Sequence, residues 1–410
     1  MTVAPAHRQL VEGQGLPRGM VTLFAVAAGL AVANIYYAQP LLTSIAAEFH
    51  TGSGTVALIV TATTVGYAIG LATVVPLGDV VSRRRLVVTL LVLVAIGQAG
   101  CAVMPSIGLL VVASFAVAVC AVVAPLLVSF AAALANPGER GRATGTVMSG
   151  VLLGLLLART GGGVVAQWGG GWRTVYAVAA VVMLALAVVL HRALPDVEVA
   201  SKLRYLSLLR SAVVIVREEP LLRLRCAYGF LSFAGFSAFW VSSAFLLADA
   251  PYGYGSALIG TFGLVGAVGA YAARAIGPVS DRGRDNLVTG VLLSVILLAW
   301  GALALNGGHW LIALLVGVVL LDLGVQGVQV MNLGVVYRLR PEARNRITMA
   351  YTSTYFLGGV AGSAASGAAY AAAGWPAVCA VGGGFALLAL LLQVAESTVR
   401  RLRVAGQRNP

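Results

Sequence analysis

The chain has 410 residues, 60% of them hydrophobic and only 10% charged, with a mean hydropathy of +0.94. Such a composition excludes a soluble globular protein and belongs in a bilayer. The net charge of +13 would suit a nucleic-acid partner only if the basic residues formed a soluble patch, and their positions between apolar runs argue against that.

The first nineteen residues are polar and include Arg8 and Arg18; the run that follows holds Asn34, Tyr36, Tyr37 and Gln39. That run is too long and too polar for a cleaved leader, so the N-terminus is expected to be retained. Apolar runs long enough to cross a ~30 Å hydrocarbon core as helix are predicted at 20–46, 56–80, 85–104, 108–134, 143–168 and 173–194. A second set of six follows at 223–248, 255–280, 287–306, 309–336, 346–373 and 376–396. The connection between the sets carries Lys202, Arg204, Arg210, Arg217, Glu218 and Glu219, with Leu203, Leu206, Leu209 and Val213 at helical spacing. It predicts an amphipathic helix lying on the membrane surface. The expected organisation is an all-α membrane protein with a six-helix bundle over 1–194, a linker over 195–222 and a second six-helix bundle over 223–410.

Loops that alternate sides put Arg83 to Arg85, Arg140 and Arg142, the segment from Arg192 to Arg225, Arg282 and Arg284, Arg338 to Arg346 and Arg400 to Arg408 on one side, and only Arg173 on the other. Excess positive charge marks the cytoplasmic side, so both termini are expected there. The basic rim then faces anionic lipid and not nucleic acid. Cys101, Cys120, Cys226 and Cys379 lie in or beside apolar runs at unrelated spacings, which suggests packing and neither a disulfide framework nor a metal site.

The chain is also written twice. Pro137-Gly138-Glu139-Arg140-Gly141-Arg142-Ala143-Thr144 returns as Pro341-Glu342-Ala343-Arg344-Asn345-Arg346-Ile347-Thr348, Gly171-Trp172 as Gly374-Trp375, and Pro76-Leu77-Gly78-Asp79 as Pro278-Val279-Ser280-Asp281, each at an offset of about 203 residues. Two similar bundles in one membrane chain point to a transporter, in which the bundles rock around a site between them. Glycines cluster in the fifth run (Gly145, Gly150, Gly154, Gly161, Gly162, Gly163) and the eleventh (Gly358, Gly359, Gly362, Gly367). Small residues at this spacing let helices approach closely, so these two helices are expected at the seam between the halves.

Charges inside the membrane are few. Asp322 lies roughly 20 Å along the tenth helix at ~1.5 Å per residue, near mid-bilayer, where an acid costs about 2.5 to 3.5 kcal/mol and should face water, a partner or a proton. Gln326 and Gln329 share its face. Arg159, about 24 Å along the fifth helix by the same rise, is expected to hold an anionic group, to gate the outer side, or to snorkel as an anchor. Arg274 is expected to snorkel or to pair near the arginine-rich rim. Asn34 and Tyr37 in the first run, and Phe233, Phe236, Ser237 and Trp240 in the seventh, form polar and aromatic stripes.

The segment Leu77-Gly78-Asp79-Val80-Val81-Ser82-Arg83-Arg84-Arg85 resembles the loop between the second and third spans of the major facilitator superfamily, Gly-x-Leu-Ala-Asp-Arg-x-Gly-Arg-Arg. Leu77, Asp79, Arg83 and Arg84 match, and the repeat brings Gly277, Asp281, Arg282 and Arg284 to the corresponding place. The fifth run is similar to that superfamily's antiporter motif, with Gly145, Gly154, Gly162 and Gly163 in register, Ala158 in place of a glycine and Arg159 in place of the proline. The resemblance implies twelve helices in two pseudo-symmetric bundles and places the chain near drug and metabolite exporters driven by proton antiport. It also implies that the first, fourth, seventh and tenth helices line the central cavity, bringing the two stripes together with Asp322.

The resulting expectation is a bacterial inner-membrane secondary transporter, a monomer without cofactor or metal, moving a small organic solute outward in exchange for protons. Asp322 would carry the proton. Asn34, Tyr37, Phe233, Phe236, Ser237, Trp240, Gln326, Gln329 and Arg159 would line the cavity. Asp79, Arg83, Arg84, Asp281, Arg282 and Arg284 would act as conformational latches. The alternatives are a proton symporter for an organic acid and a membrane sensor that binds without transport. No phosphate loop and no catalytic constellation is evident: His7, His50, His191 and His309 are dispersed, so neither ATP drive nor an enzyme is expected.

Overall fold

In lipid every backbone N–H and C=O must be satisfied within the spanning segment, so runs of this composition become helices. The computed structural model describes residues 17–136, 138–195, 214–273, 285–339 and 344–406, and the regular elements among them are all helical. In the first half, α1 (Arg18–Ala33) leads through a 3₁₀ turn at Gln39–Leu41 into α2 (Leu42–Glu48). There follow α3 (Ser53–Thr73), α4 (Arg83–Val103), α5 (Ile107–Cys120), α6 (Val123–Leu134), α7 (Arg140–Trp168) and α8 (Trp172–Ala193). The second half comprises α9 (Pro220–Ala248), α10 (Ser256–Ala272), α11 (Asp285–Ala304), α12 (Leu311–Leu339) and α13 (Arg344–Gly406).

Helix α13 is two passes. Ala373 and Gly374 leave the helical region, Gly374 at φ 66° where a side chain would be strained, and Pro376 follows just inside the second arm. Trp375 then buries itself, donating from Nε1 to the Leu303 carbonyl at 2.9 Å. Its counterpart in the first half, Trp172, follows Gly171 (φ 107°) and donates from Nε1 to Glu48 Oε2 at 2.5 Å. With α1–α2 as one pass, α5–α6 as another and α13 as two, the described helices make up twelve passes.

Two runs expected as single helices are broken, each by a proline. Pro40 and Pro125 lack an N–H, and each ring collides with the carbonyl four residues earlier. Accordingly α1 stops at Ala33, and the fourth pass divides between α5 and α6 around Ala121 and Val122. Residues 196–213 of the expected surface linker lie outside the described residues; α9 begins at Pro220, with Glu219 as its N-cap.

The glycine clusters serve two purposes. Within the halves they bring α1 against α7, where a Cβ on Gly150 would lie 2.1 Å from the Ala25 carbonyl oxygen, and α9 against the first arm of α13, where a Cβ on Gly362 would lie 1.9 Å from that of Ala234. Between the halves, α7 packs on α10 and α3 on α13. A Cβ on Gly163 would meet Ser256 O at 2.1 Å, and one on Gly367 would meet Ala57 Cβ at 2.7 Å. The seam therefore does run along the fifth and eleventh passes, but most of their glycines tie each bundle to itself. Gln167 Oε1 accepts from Ala257 N at 3.1 Å, closing the halves at the arginine-poor end.

Candidate functional site

The first pass enters the site where it ceases to be an α-helix. Past Ala33 the chain turns through bonds to the third residue back: Ile35 N donates to Val32 O (3.2 Å), Tyr36 N to Ala33 O (3.0 Å), Gln39 N to Tyr36 O (3.3 Å). Such a turn advances about 120° per residue where an α-helix advances about 100°, so a face read at α spacing is not kept. Asn34, expected on the cavity wall, turns into its own half instead. Its Nδ2 donates to Leu30 O (2.9 Å) and contacts Met183 Sδ (3.2 Å), and its Oδ1 accepts from Gln98 Nε2 (2.8 Å). Tyr37 packs on Gly162 of α7, its Cδ1 3.6 Å from the position of a Cβ there.

Tyr36 and Gln39 take their place. Together with Tyr67 of α3 they face Phe233, Phe236 and Ser237 of α9 across a narrow recess. Both halves line it. The α9 residues sit where uninterrupted helical spacing puts them. Phe233 stacks on Phe236 (centroids 5.5 Å apart) and on Tyr355 (4.1 Å), while Phe356 packs on Tyr67 at 4.7 Å.

At the edge of this recess Arg159 is buried, 2% exposed. Its guanidinium carbon lies 4.2 Å from the Trp240 ring centre and 4.9 Å from that of Tyr36, and Nε donates to Gln39 Oε1 at 2.6 Å. Two ring faces and one amide oxygen thus hold the cation, while Nη2 has no hydrogen-bond partner. Asp322 is 3% exposed, and its Oδ2 has no partner either. The charges of Arg159 and Asp322 act on each other, and Tyr355 lies within the field of the carboxylate.

What brings the two together is α10. It carries Gly260, Gly263, Gly266 and Gly269, one glycine in every three residues. Against ~3.6 residues per turn that stripe drifts by about 60° per glycine, or half a turn over the set. It therefore begins on α7 and ends on α12. A Cβ on Gly260 would lie 2.4 Å from Arg159 O and one on Gly263 3.3 Å from Arg159 Cδ, whereas one on Gly266 would lie 2.7 Å from Asp322 Oδ2 and one on Gly269 2.2 Å from Val319 O.

The other expected residues lie elsewhere. Gln326 is half-buried on α12. Gln329 Oε1 accepts from Tyr351 Oη (2.6 Å), which also receives Asn332 Nδ2 (3.2 Å). The same Asn332 Oδ1 accepts from Arg225 Nη1 (3.4 Å), which also donates to Thr289 Oγ1 (2.9 Å). Arg225, assigned from sequence to the basic rim, is thus a buried member of a polar network across α9, α11, α12 and α13; its neighbours Arg217 and Arg223 had masked the difference. Asp79 pairs with Arg83 (3.1 Å), which also donates from Nε to Gly78 O (3.1 Å), and Arg84 Nη2 donates to His191 O at 2.5 Å. Arg274, Asp281, Arg282 and Arg284 lie outside the described residues. In the second half Asp285 pairs with Arg338 at 2.8 Å.

Comparisons with known proteins agree with this architecture. Residues 24–363 match the family model of the Major Facilitator Superfamily. The chain is 45% identical over 378 residues to the uncharacterized transporter YgaY of Escherichia coli, covering 92% of this chain and 95% of that one. It is 33% identical over 403 residues to the probable transporter SCO4007 of Streptomyces coelicolor, covering 94% and 90%. Among solved structures it resembles a bacterial homologue of the human lysosomal transporter Spinster in an inward-facing, occupied conformation (TM-score 0.74, 15% identity, 93% and 96% covered). The nucleoside transporter NupG is similar in fold too (TM-score 0.72, 11% identity, 92% and 99% covered).

Proposed function

Because the chain belongs to the major facilitator superfamily, we propose that it is a secondary transporter that carries a small organic solute across a bacterial cytoplasmic membrane by alternating access, with Asp322 carrying a coupling proton. Family and relatives make it a multi-pass membrane transporter and not an enzyme. The finer reading rests on one observation: a carboxylate and a guanidinium are buried together at the junction of the two halves, beside a recess that both halves line. An acid at that depth is costly and is kept where it serves a pathway or a relay.

In this reading Tyr36, Gln39, Phe233, Phe236, Ser237, Trp240 and Arg159 hold the solute. Asn34 and Gln329 support the bundles from behind. The arginine-rich end faces the cytoplasm, and Asp79 with Arg83 and Arg84, like Asp281 with Arg282 and Arg284, acts as a latch between conformations.

The antiporter-like glycine spacing of α7 favours export in exchange for protons. A second reading, uptake of an organic acid together with protons, is favoured by the buried, unpartnered Nη2 of Arg159. Proteoliposomes holding the purified protein, screened with a metabolite and drug library under an imposed pH gradient, test both. Movement driven by the gradient is expected, and its direction relative to the proton separates exchange from symport. Binding without movement for every solute would leave only a sensor.

A further inference from the structure

We infer that the solute is an aromatic carboxylate, its carboxylate on Arg159 and its ring in the recess beside Phe233 and Tyr67, and that it occupies the site together with a proton on Asp322. The inference rests on the proposal that this site carries the transported solute, and it selects symport over exchange.

The argument begins with Arg159. A guanidinium stays charged in any protein environment and offers donors but no acceptor. Here Nε is committed to Gln39 and the two faces to Tyr36 and Trp240, which leaves Nη2 buried and open. A ligand oxygen bearing negative charge supplies the missing acceptor; an ammonium or an apolar group does not. The internal candidate, Asp322, has not consumed it, for its own Oδ2 is also unpartnered. From Arg159 the site continues through Tyr36 and Gln39 into a recess walled by the rings of Tyr36, Tyr67, Phe233, Phe236 and Phe356, a lining that suits an aromatic body.

Charge balance then brings in the proton. With Asp322 ionised, Arg159 and Asp322 sum to zero. An added carboxylate leaves one uncompensated negative charge in a site walled from water, and a proton on Asp322 removes it. Nothing else facing Asp322 among the described residues can do so. Arg159 comes from α7 and the neutral Tyr355 from α13, while α10 offers Gly266 and Gly269. Helix α11 meets α12 through Leu303 and Ile296, and Arg225 of α9 is engaged with Thr289 and with Asn332, roughly 15 Å further along α12 at ~1.5 Å per residue. A cationic solute would leave one uncompensated positive charge even with Asp322 ionised, so the site disfavours it. An anionic solute therefore brings its proton with it.

Binding to the purified wild-type protein tests this with three probes of one shape: phenylacetate, phenylacetamide and phenylethylamine. Phenylacetate should bind more tightly than the amide by about 30-fold or more, the scale of one buried charged contact, and the amine should not bind. Cyclohexylacetate should bind more weakly than phenylacetate. Across about pH 6 to pH 9 the affinity for phenylacetate should fall as pH rises, by up to about tenfold per unit once Asp322 must be protonated on binding; in Asp322→Asn it should not depend on pH. Arg159→Gln should lose the preference for the acid over the amide, and the amide's own binding reports that the variant is folded. Amide or amine binding as tightly as the acid overturns the solute class. A flat wild-type pH profile, or one unchanged in Asp322→Asn, overturns joint occupancy. Transport is scored separately: gradient-driven movement of other solutes with no phenylacetate binding overturns the class alone, whereas phenylacetate binding with no movement of any solute overturns the transport reading and supports the class.

Discussion

Arg159 and Asp322 rest on one helix, a single turn apart: the arginine's Cδ is 3.3 Å from where a Cβ would stand on Gly263, and the carboxylate's Oδ2 is 2.7 Å from the same point on Gly266. Neither position of α10 has a side chain to come between the charges. The pair is set by backbone approach, and this determines what substitutions there should do.

Asp322→Asn keeps the shape of the side chain and fixes it neutral. Solute binding should persist, while accumulation driven by a pH gradient falls to background in reconstituted vesicles. Accumulation at wild-type levels would return Asp322 to a packing role.

Gly163→Ala and Gly260→Ala each put a methyl within 2.1 Å and 2.4 Å of a backbone oxygen on the facing half. Overpacking of this kind costs about 1–3 kcal/mol, here against the closed arginine-poor end. Spin labels across α7 and α10 should report a population shifted away from that closure. Gly161→Ala, whose methyl would meet nothing within 4 Å, should leave the distance distribution unchanged.

The Asp79–Arg83 pair is partly exposed and bridges the turn between the 3₁₀ segment Val75–Asp79 and the start of α4, an exposed ion pair worth about 0.2–1 kcal/mol. Asp79→Asn should change the transport rate by no more than about fivefold, the equivalent of that energy, and leave affinity unchanged in a protein cross-linked in one state. A large loss of affinity in the locked protein would make Asp79 a solute ligand.

Asn332 joins Arg225, Tyr351 and α12 from the inside. Asn332→Leu removes those partners while keeping the volume, so the detergent-purified protein should lose about 1–3 kcal/mol of stability, the cost of an unsatisfied buried polar group. A thermal-shift measurement should register the lowered midpoint. The solute preference of Arg159 should be unaffected, since the two networks do not share a residue.

Orientation is testable with single cysteines in a background free of the four native ones. Gly52→Cys and Ser106→Cys, at exposed positions of the arginine-poor end, should react with an impermeant thiol reagent from outside intact cells. Gly138→Cys should react only after permeabilisation. The opposite pattern would invert the topology.

The passes were legible because each is a long apolar run, and the α9 stripe because α9 is an unbroken helix. Where a single residue interrupts the run, averaging over a window hides it. Pro40 ended α1 and rotated the following residues, so Asn34 was assigned a face that belongs to Tyr36 and Gln39. Arg225 looked like a rim residue because only its neighbours in sequence could be seen, whereas Thr289 and Asn332, which accept its hydrogen bonds, arrive from other helices. The meeting of Arg159 with Asp322 is a property of the topology. The glycine spacing that permits it was visible in the sequence, but not which helices it faced.

The drifting stripe on α10 ties that helix to two partners with different fates. Its Gly266–Gly269 end is locked to α12 inside one bundle, and its Gly260–Gly263 end touches α7 of the other. In the proposed alternating-access cycle α10 and the carboxylate would travel together while the guanidinium is drawn along a different arc. The separation between the two charges would then itself be a gauge of which side the cavity faces, with no further moving part.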